Sequence, residues 1–167
     1  MIIATKGGLT RPGPNRWEPV GRPVYLRQCI EMSLRRLAVD RIDLYYLHRL
    51  DPHVSLADQL GVLAEAQQAG KIRHIGLSKV TVAQIEEAAQ IVTVAAVQNR
   101  YNAIEGDDDA LTFCEHRGIA FVPYQPLAAG VLARPEDASG KTVTAAQAAV
   151  AYLLDRSPSV LPIPGTN

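Results

Sequence analysis

The sequence has 167 residues, with 17 Lys and Arg balanced by 17 Asp and Glu, so its formal net charge is zero when the histidines are neutral. This balance argues against nucleic-acid partners, which usually require a basic patch. No apolar run approaches the roughly 20 residues of a membrane span, and the first residues lack the pattern of a secretory signal. We therefore expect a cytoplasmic chain without membrane contacts. Hydrophobic residues make up 47%, enough for one core, and we predict a single domain over residues 1–167.

Short apolar runs alternate with segments of helical periodicity along the whole chain. Leu26, Ile30 and Leu34, for example, recur at the spacing of one helix face. Apolar runs of this kind suit parallel strands that are covered on both faces, and their alternation with helices predicts right-handed crossovers. Five helices separate the predicted strands, which are Ile2–Thr5, Ile42–Leu47, Ile72–Leu77, Val94–Val97, Ile119–Pro123 and Val160–Ile163.

The ends of several predicted helices are marked by capping residues. Ser55, Thr81 and Thr144 are each followed three residues later by Asp or Gln, a pattern that resembles a capping box. Gly70 and Gly118 end helical patterns directly before a strand, where a left-handed residue closes a helix. These signals fix the order of the predicted elements.

Two architectures fit this order, an open doubly wound sheet or part of a (β/α)8 barrel. The first strand is followed by Lys6-Gly7-Gly8-Leu9-Thr10, which lacks the GxGxxG motif of dinucleotide-binding open sheets. That absence weakens the open-sheet interpretation without excluding a flavodoxin-like sheet. The Gly- and Pro-rich connection of residues 7–21 is long for a compact domain, which predicts a functional loop.

A polar or otherwise distinctive residue follows each predicted strand, although the strands themselves are apolar. In a parallel barrel the active site forms at the carboxyl ends of the strands, so these residues would converge in space. Taken singly, each also has a structural interpretation, such as a buried histidine or a solvated lysine. The six positions are Lys6, His48, Ser78, Gln98, Tyr124 and the pair Gly165 and Thr166.

The same residues stand in motifs that resemble those of the aldo-keto reductases. The order and spacing of the motifs match that family from Ile2 to Thr166, and the most specific are DLYYLH, which ends at His48, and GKIRHIGLS, which ends at Ser78. The resemblance implies an α/β fold of the (β/α)8 TIM-barrel type. We expect this chain to form it incompletely, with six parallel strands and five helices, because the first two βα units and the C-terminal helix are missing.

The resemblance implies NADP(H)-dependent hydride transfer to the carbonyl of an aldehyde or ketone, without a metal. Lys6 matches the family's catalytic lysine, and His48 matches the histidine that orients the carbonyl. Ser78 and Gln98 match the residues that bind the nicotinamide carboxamide, and Tyr124 matches the aromatic residue that stacks on the ring. The residues that match the pyrophosphate and adenosine-phosphate segments are Pro126, Leu127, Ala128, Gly130, Gly165 and Thr166.

The sequence departs from the family at its catalytic centre. The family's proton-donating tyrosine and its aspartate lie upstream of the lysine, and only five residues precede Lys6. We therefore expect the chain to be inactive alone and to bind NADP(H) weakly or not at all. Position 79 is Lys, where many members have Asn. Tyr46 lies two residues before His48, on the same side of the strand, and we interpret it as a supporting residue rather than a replacement donor.

Two alternatives stay open at this stage. In the first, the chain is a non-catalytic remnant or binding module that completes its sheet with a partner chain, self-association included, because an open six-stranded sheet leaves two edges for pairing. In the second, Lys6 forms a Schiff base with its substrate, as in a lyase on the same type of barrel. The family motifs argue against this second alternative.

Overall fold

A computed structural model describes residues 1–133 and 144–165 of the chain. The chain divides into two compact units, Met1–Ala95 and Ala96–Asn167. The division falls inside strand β6 (Val94–Gln98). The first unit contains β1 (Ala4–Gly7), β2 (Leu9–Gly13), β3 (Arg16–Pro19), α1 (Pro23–Leu37), β4 (Ile42–Leu47), α2 (Leu56–Gln68), β5 (Ile72–Ser78) and α3 (Val82–Ala89). The second contains α4 (Asp108–Arg117), β7 (Ala120–Phe121), a 3-10 segment (Ala128–Ala133) and α5 (Ala145–Arg156).

Parallel pairing organises the strands of both units. In the first unit β4 pairs in parallel with β1 on one side and with β5 on the other. In the second unit β6 pairs in parallel with β7. The described part of the chain thus has five strands in parallel pairing and five α-helices, which confirms the predicted α/β class.

The sixth predicted strand, Val160–Ile163, is reduced to one parallel bridge between Phe121 and Val160. Leu161 donates a backbone hydrogen bond to the Phe121 carbonyl at 2.8 Å. The ladder goes no further because Pro162 and Pro164 have no N–H to donate. The prediction of a full strand here was therefore wrong.

The long connection of residues 7–21 contains an antiparallel hairpin, β2 and β3, that the sequence analysis did not predict. A register shift between Thr10 and Gly13 interrupts the hairpin, and Arg11 lies 4.8 Å from the centroid of the Trp17 ring. The end of the connection is fixed by a hydrogen bond of 2.8 Å from the Gly21 amide to Asp51 Oδ2. The hairpin therefore stands beside the carboxyl end of β1.

Helix ends follow the predicted capping pattern. At Thr81 and Thr144 both hydrogen bonds of a capping box are present: each threonine hydroxyl accepts from the amide of the Gln three residues on, and that Gln side chain accepts from the threonine amide. Ser55 accepts from the amide three residues on. Gly118 is the left-handed residue that closes α4, and Gly70 is left-handed directly before β5. No helix within the described residues combines the length and the apolar character that a membrane span requires.

Candidate active site

The register of the first unit places the predicted lysine and histidine on one face of the sheet. Lys6 on β1 lies opposite Tyr46 on β4, and Tyr46 lies opposite Gly76 on β5. Because side chains alternate along a strand, His48, one residue past the end of β4, continues the face of Tyr46, and Ser78, the last residue of β5, continues the face of Gly76. The first unit therefore brings Lys6, His48 and Ser78 together at the carboxyl ends of three neighbouring strands.

The Lys6 ammonium lies against the face of a buried aromatic ring. Its Nζ is 5.6 Å from the centroid of Tyr46, within the range of a cation–π contact. Burial lowers the pKa of Lys6, and burial also raises the pKa of Tyr46 to about 12. Tyr46 therefore stays a protonated phenol that presents its ring face to the lysine. This arrangement favours a supporting role for Tyr46 over that of a proton donor.

Tyr46 owes its position to the absence of a side chain on the neighbouring strand. A Cβ built on Gly76 would lie 2.5 Å from Cδ1 and Cε1 of the Tyr46 ring. That distance is well below the roughly 3.5–4.0 Å of ordinary carbon contacts. Glycine is therefore the only residue type at position 76 that leaves room for the Tyr46 ring beneath Lys6.

His48 is held in its neutral form by its surroundings. Burial lowers its pKa to about 4, and the positive charges of Lys6, Arg49 and Lys79 add to the effect. The imidazole is therefore neutral at pH 7, with one N–H donor and one acceptor nitrogen. A neutral imidazole at a strand end can donate one hydrogen bond to a carbonyl oxygen while its other nitrogen accepts one.

The residue after Ser78 has an unusual backbone conformation. Ser78 is buried, with 2% of its surface exposed, and Lys79 has a φ of 56°. Asn is several-fold enriched in this left-handed region, whereas Lys is not. Lys79 therefore holds a backbone conformation that is uncommon for a residue of its type.

In the second unit, the predicted cofactor residues lie at strand ends and in the turn that follows β7. Gln98 ends β6 and is 5% exposed. Tyr124 is half-buried and forms a parallel bridge with Arg100. Its amide donates to the Asn99 carbonyl at 2.9 Å. These bonds hold Tyr124 next to the segment that follows β6.

A cavity of about 490 Å³ opens beside the segment after Tyr124. Gln125, Ala128 and Ala129 have φ values of 55°, 48° and 55°, and Gly130 has 93°. Ala128, Ala129 and Gly130 are thus three consecutive left-handed residues, and turns of the backbone can form concave sites for anions. The cavity is lined by the predicted residues Pro126, Leu127, Gly130 and Gly165, and also by Gln125, Ala129 and Ile163, which the sequence analysis missed.

The predicted nicotinamide residues Ser78, Gln98 and Tyr124 do not line this cavity, and two of the predicted phosphate-segment residues are not placed there either. Ala128 belongs to the same turn, but it is not among the residues that line the cavity. Thr166 lies outside the described residues. Within residues 1–133 and 144–165, no three His, Cys, Asp or Glu side chains group so that they could hold a metal ion.

Comparison with known proteins identifies relatives along the whole chain. The family model described as "Aldo/keto reductase family" matches residues 1–142. An uncharacterised oxidoreductase of Schizosaccharomyces pombe is 50% identical over 173 residues, which cover 100% of this chain and 56% of the relative. Pyridoxine 4-dehydrogenase of Escherichia coli is 38% identical over 178 residues, which cover 100% of this chain and 62% of the relative.

Solved structures show the same fold. A glycerol dehydrogenase from Gluconobacter oxydans superposes with a TM-score of 0.87 at 24% identity, covering 99% of this chain and 63% of that one. An aldo/keto reductase from Klebsiella pneumoniae in complex with NADP and acetate gives a TM-score of 0.78 at 23% identity, covering 99% of this chain and 59% of that one. The chain thus spans about six-tenths of the length of the proteins it matches.

Proposed function

The chain belongs to the aldo/keto reductase family, and from this premise we propose that it carries part of the machinery for NADP(H)-dependent reduction of an aldehyde or ketone carbonyl. The observation that carries the proposal is the shared face of Lys6 and His48 at the carboxyl ends of β1 and β4. A relative from Schizosaccharomyces pombe named as an NADP(+) aldo-keto reductase, 29% identical, supports the choice of cofactor.

Lys6 and His48 would act on the oxygen of the carbonyl. Reduction places negative charge on that oxygen, and preorganised donors in a site of low dielectric stabilise such charge. The neutral His48 imidazole donates a hydrogen bond that orients the carbonyl. The Lys6 ammonium would supply positive charge. Burial lowers its pKa, which disfavours the charged form, but the same low dielectric strengthens the attraction of that charge for a developing oxyanion.

The second unit fits a dinucleotide. NADP(H), when bound, supplies the hydride. The cavity of about 490 Å³ beside Gln125–Gly130 has the left-handed backbone that cradles an anion, as a pyrophosphate requires. Gln98 offers amide donors and acceptors for the nicotinamide carboxamide, and Tyr124 offers an aromatic face for the ring. Ser78, in the first unit, offers a buried hydroxyl as a further hydrogen-bonding group.

We further propose that these 167 residues do not complete the reaction by themselves. None of them matches the family's tyrosine and aspartate, and loss of a positioned proton donor typically costs roughly 10²–10⁴-fold in rate. The proton donor would come from residues outside this sequence or from another chain.

The test is to measure NADPH consumption with an aromatic aldehyde by the 167-residue chain and by its Lys6→Met variant. For both proteins we expect a rate of NADPH consumption indistinguishable from that in buffer without protein. Turnover that Lys6→Met abolishes would show that a donor is present within the chain and that our account of the centre is incomplete. Borohydride treatment with the aldehyde should leave no adduct on Lys6, whereas a trapped adduct would favour the Schiff-base alternative.

A further inference from the structure

One buried amide side chain joins two segments of the second unit. Asn102 is 2% exposed, and its Oδ1 accepts hydrogen bonds from the amides of Ile104 at 2.9 Å and Glu105 at 3.0 Å. Its Nδ2 donates to the Gln125 carbonyl at 3.2 Å. One end of the side chain therefore caps its own turn, while the other end holds a residue 23 positions away.

The residue that receives this bond is the first of the left-handed residues beside the cavity. Gln125 has a φ of 55°, a region that is sterically costly for any residue with a Cβ. Its carbonyl also accepts from the Ala128 amide at 2.9 Å, which closes the turn. Strained backbone of this kind persists only where surrounding contacts hold it, and Asn102 supplies such a contact from outside the turn.

The turn around Asn102 does not depend on the bond to Gln125. The Asn102 amide donates to the Glu105 carbonyl at 2.8 Å, so the backbone closes this turn independently. The Nδ2 contact can therefore be removed while the local turn keeps its backbone bond and, with an Asp at this position, also its Oδ1 acceptor.

We propose that Asn102 is a positioning residue for a dinucleotide: through the Gln125 carbonyl it holds the 125–130 backbone in the conformation that receives the pyrophosphate. The proposal rests on the proposed function for the identity of the ligand. What it adds is that the hydrogen bond from Asn102 Nδ2 sets the affinity for the pyrophosphate, rather than the volume of the side chain or its contribution to the stability of the fold.

The experiment measures the affinity of the ¹⁵N-labelled 167-residue chain for NADP⁺ and, separately, for inorganic pyrophosphate from amide shifts. Asn102→Asp removes the donor and keeps the acceptor but adds a negative charge, whereas Asn102→Ala removes donor and acceptor without adding charge and is therefore the decisive variant. We expect both variants to bind each ligand roughly five- to tenfold more weakly, as the loss of one buried hydrogen bond implies. Asn102→Ala combined with Gln125→Gly should regain part of the loss, because Gly adopts a positive φ without steric cost.

Asp107→Ala is the matched control for general destabilisation. Asp107 caps α4 in the same unit by accepting from the Ala110 amide at 3.1 Å, and its loss should leave both affinities within about twofold of the wild type. The proposal is overturned if the Asn102 variants bind like the wild type, or if Asp107→Ala weakens binding as much as they do.

The two ligands separate this proposal from the proposed function. If the wild type binds NADP⁺ and the Asn102 variants bind it equally well, only the role of Asn102 is wrong. If the wild type binds pyrophosphate more tightly than the Asn102 variants do but shows no binding of NADP⁺, only the proposed cofactor is wrong. If the wild type binds neither ligand, both are wrong.

Discussion

Gly76→Ala is the substitution whose effect follows most directly from the geometry beneath Lys6. The added Cβ would lie 2.5 Å from two atoms of the Tyr46 ring and 3.1 Å from a third. The ring is only 2% exposed, so it cannot move into solvent. To restore ordinary contact distances the ring must retreat by roughly 1 Å against a packed core.

The expected cost can be worked from this clash. Overpacking of a well-packed core costs about 1–3 kcal/mol. Replacing Gly by Ala also stabilises the folded state by about 0.4–1 kcal/mol, because it reduces the conformational entropy of the unfolded chain. The difference spans about 0 to 2.6 kcal/mol, and we expect a net loss near the middle of that span, about 1–2 kcal/mol, in the free energy of unfolding. For a domain of this size, that loss lowers Tm by roughly 2–8 °C.

Urea denaturation followed by circular dichroism measures this change, and the chain offers a matched control. Gly61 lies within helix α2, where a Cβ would meet nothing within 4 Å. Gly61→Ala should stabilise the chain by about 0.5–1 kcal/mol, since Gly is unfavourable inside a helix. The two Gly→Ala substitutions should therefore change stability in opposite directions.

A second variant assigns the cost to the Tyr46 ring. In a Tyr46→Leu background the Cβ of Gly76→Ala no longer meets an aromatic ring, so its cost should fall by about 1 kcal/mol or more. If Gly76→Ala proves as stabilising as Gly61→Ala, or if Tyr46→Leu leaves its cost unchanged, the argument that Gly76 makes room for this ring is wrong.

Three further predictions follow from the same structure. The pKa of His48 is about 4 in the folded chain against an ordinary value of 6.5, so the unfolded state binds more protons over this interval and stability should fall as the pH is lowered through it. His48→Asn should flatten that slope in urea titrations at successive pH values, and an unchanged slope would contradict the assignment. Lys79→Asn should raise the His48 pKa in an NMR titration by removing a nearby positive charge, and should stabilise the left-handed residue; a lower pKa would refute this. Within the first unit β1 pairs with β4 along one edge and with no described strand along the other. Because an open strand edge can pair with a second chain, analytical ultracentrifugation should show self-association. A monomer at every concentration would argue against pairing of that edge.

The sequence predicts the parts of this fold that depend on local signals. The capping boxes at Thr81 and Thr144 formed as expected because both partners lie within one helical turn. The strand predicted after Val160 failed because the prolines that follow it cannot donate to a ladder. The hairpin β2–β3 escaped prediction because its strands are short, largely exposed and rich in residues typical of turns.

The same distinction applies to the candidate site. The rule that parallel strands end at one edge was enough to predict that Lys6, His48 and Ser78 would lie close together, because each was found at the end of a predicted strand. The contact of Tyr46 with Gly76 requires the register of two strands, which no pattern in one strand supplies. The hydrogen bond from Asn102 to the Gln125 carbonyl joins residues 23 positions apart, so no local sequence motif predicts it.

The central claim is that this chain supplies the lysine and histidine of an aldo/keto reductase while the proton donor comes from outside its 167 residues. The most direct measurement uses a fusion in which residues 1–167 carry the segments of the Escherichia coli pyridoxine 4-dehydrogenase that lie outside the matched region, over which the two proteins are 38% identical. NADPH consumption by this fusion is followed with an aldehyde. We predict turnover in the fusion that is absent from the chain alone and is lost in Lys6→Met and reduced in His48→Asn. A folded fusion without turnover, or turnover that persists in Lys6→Met, would contradict the claim.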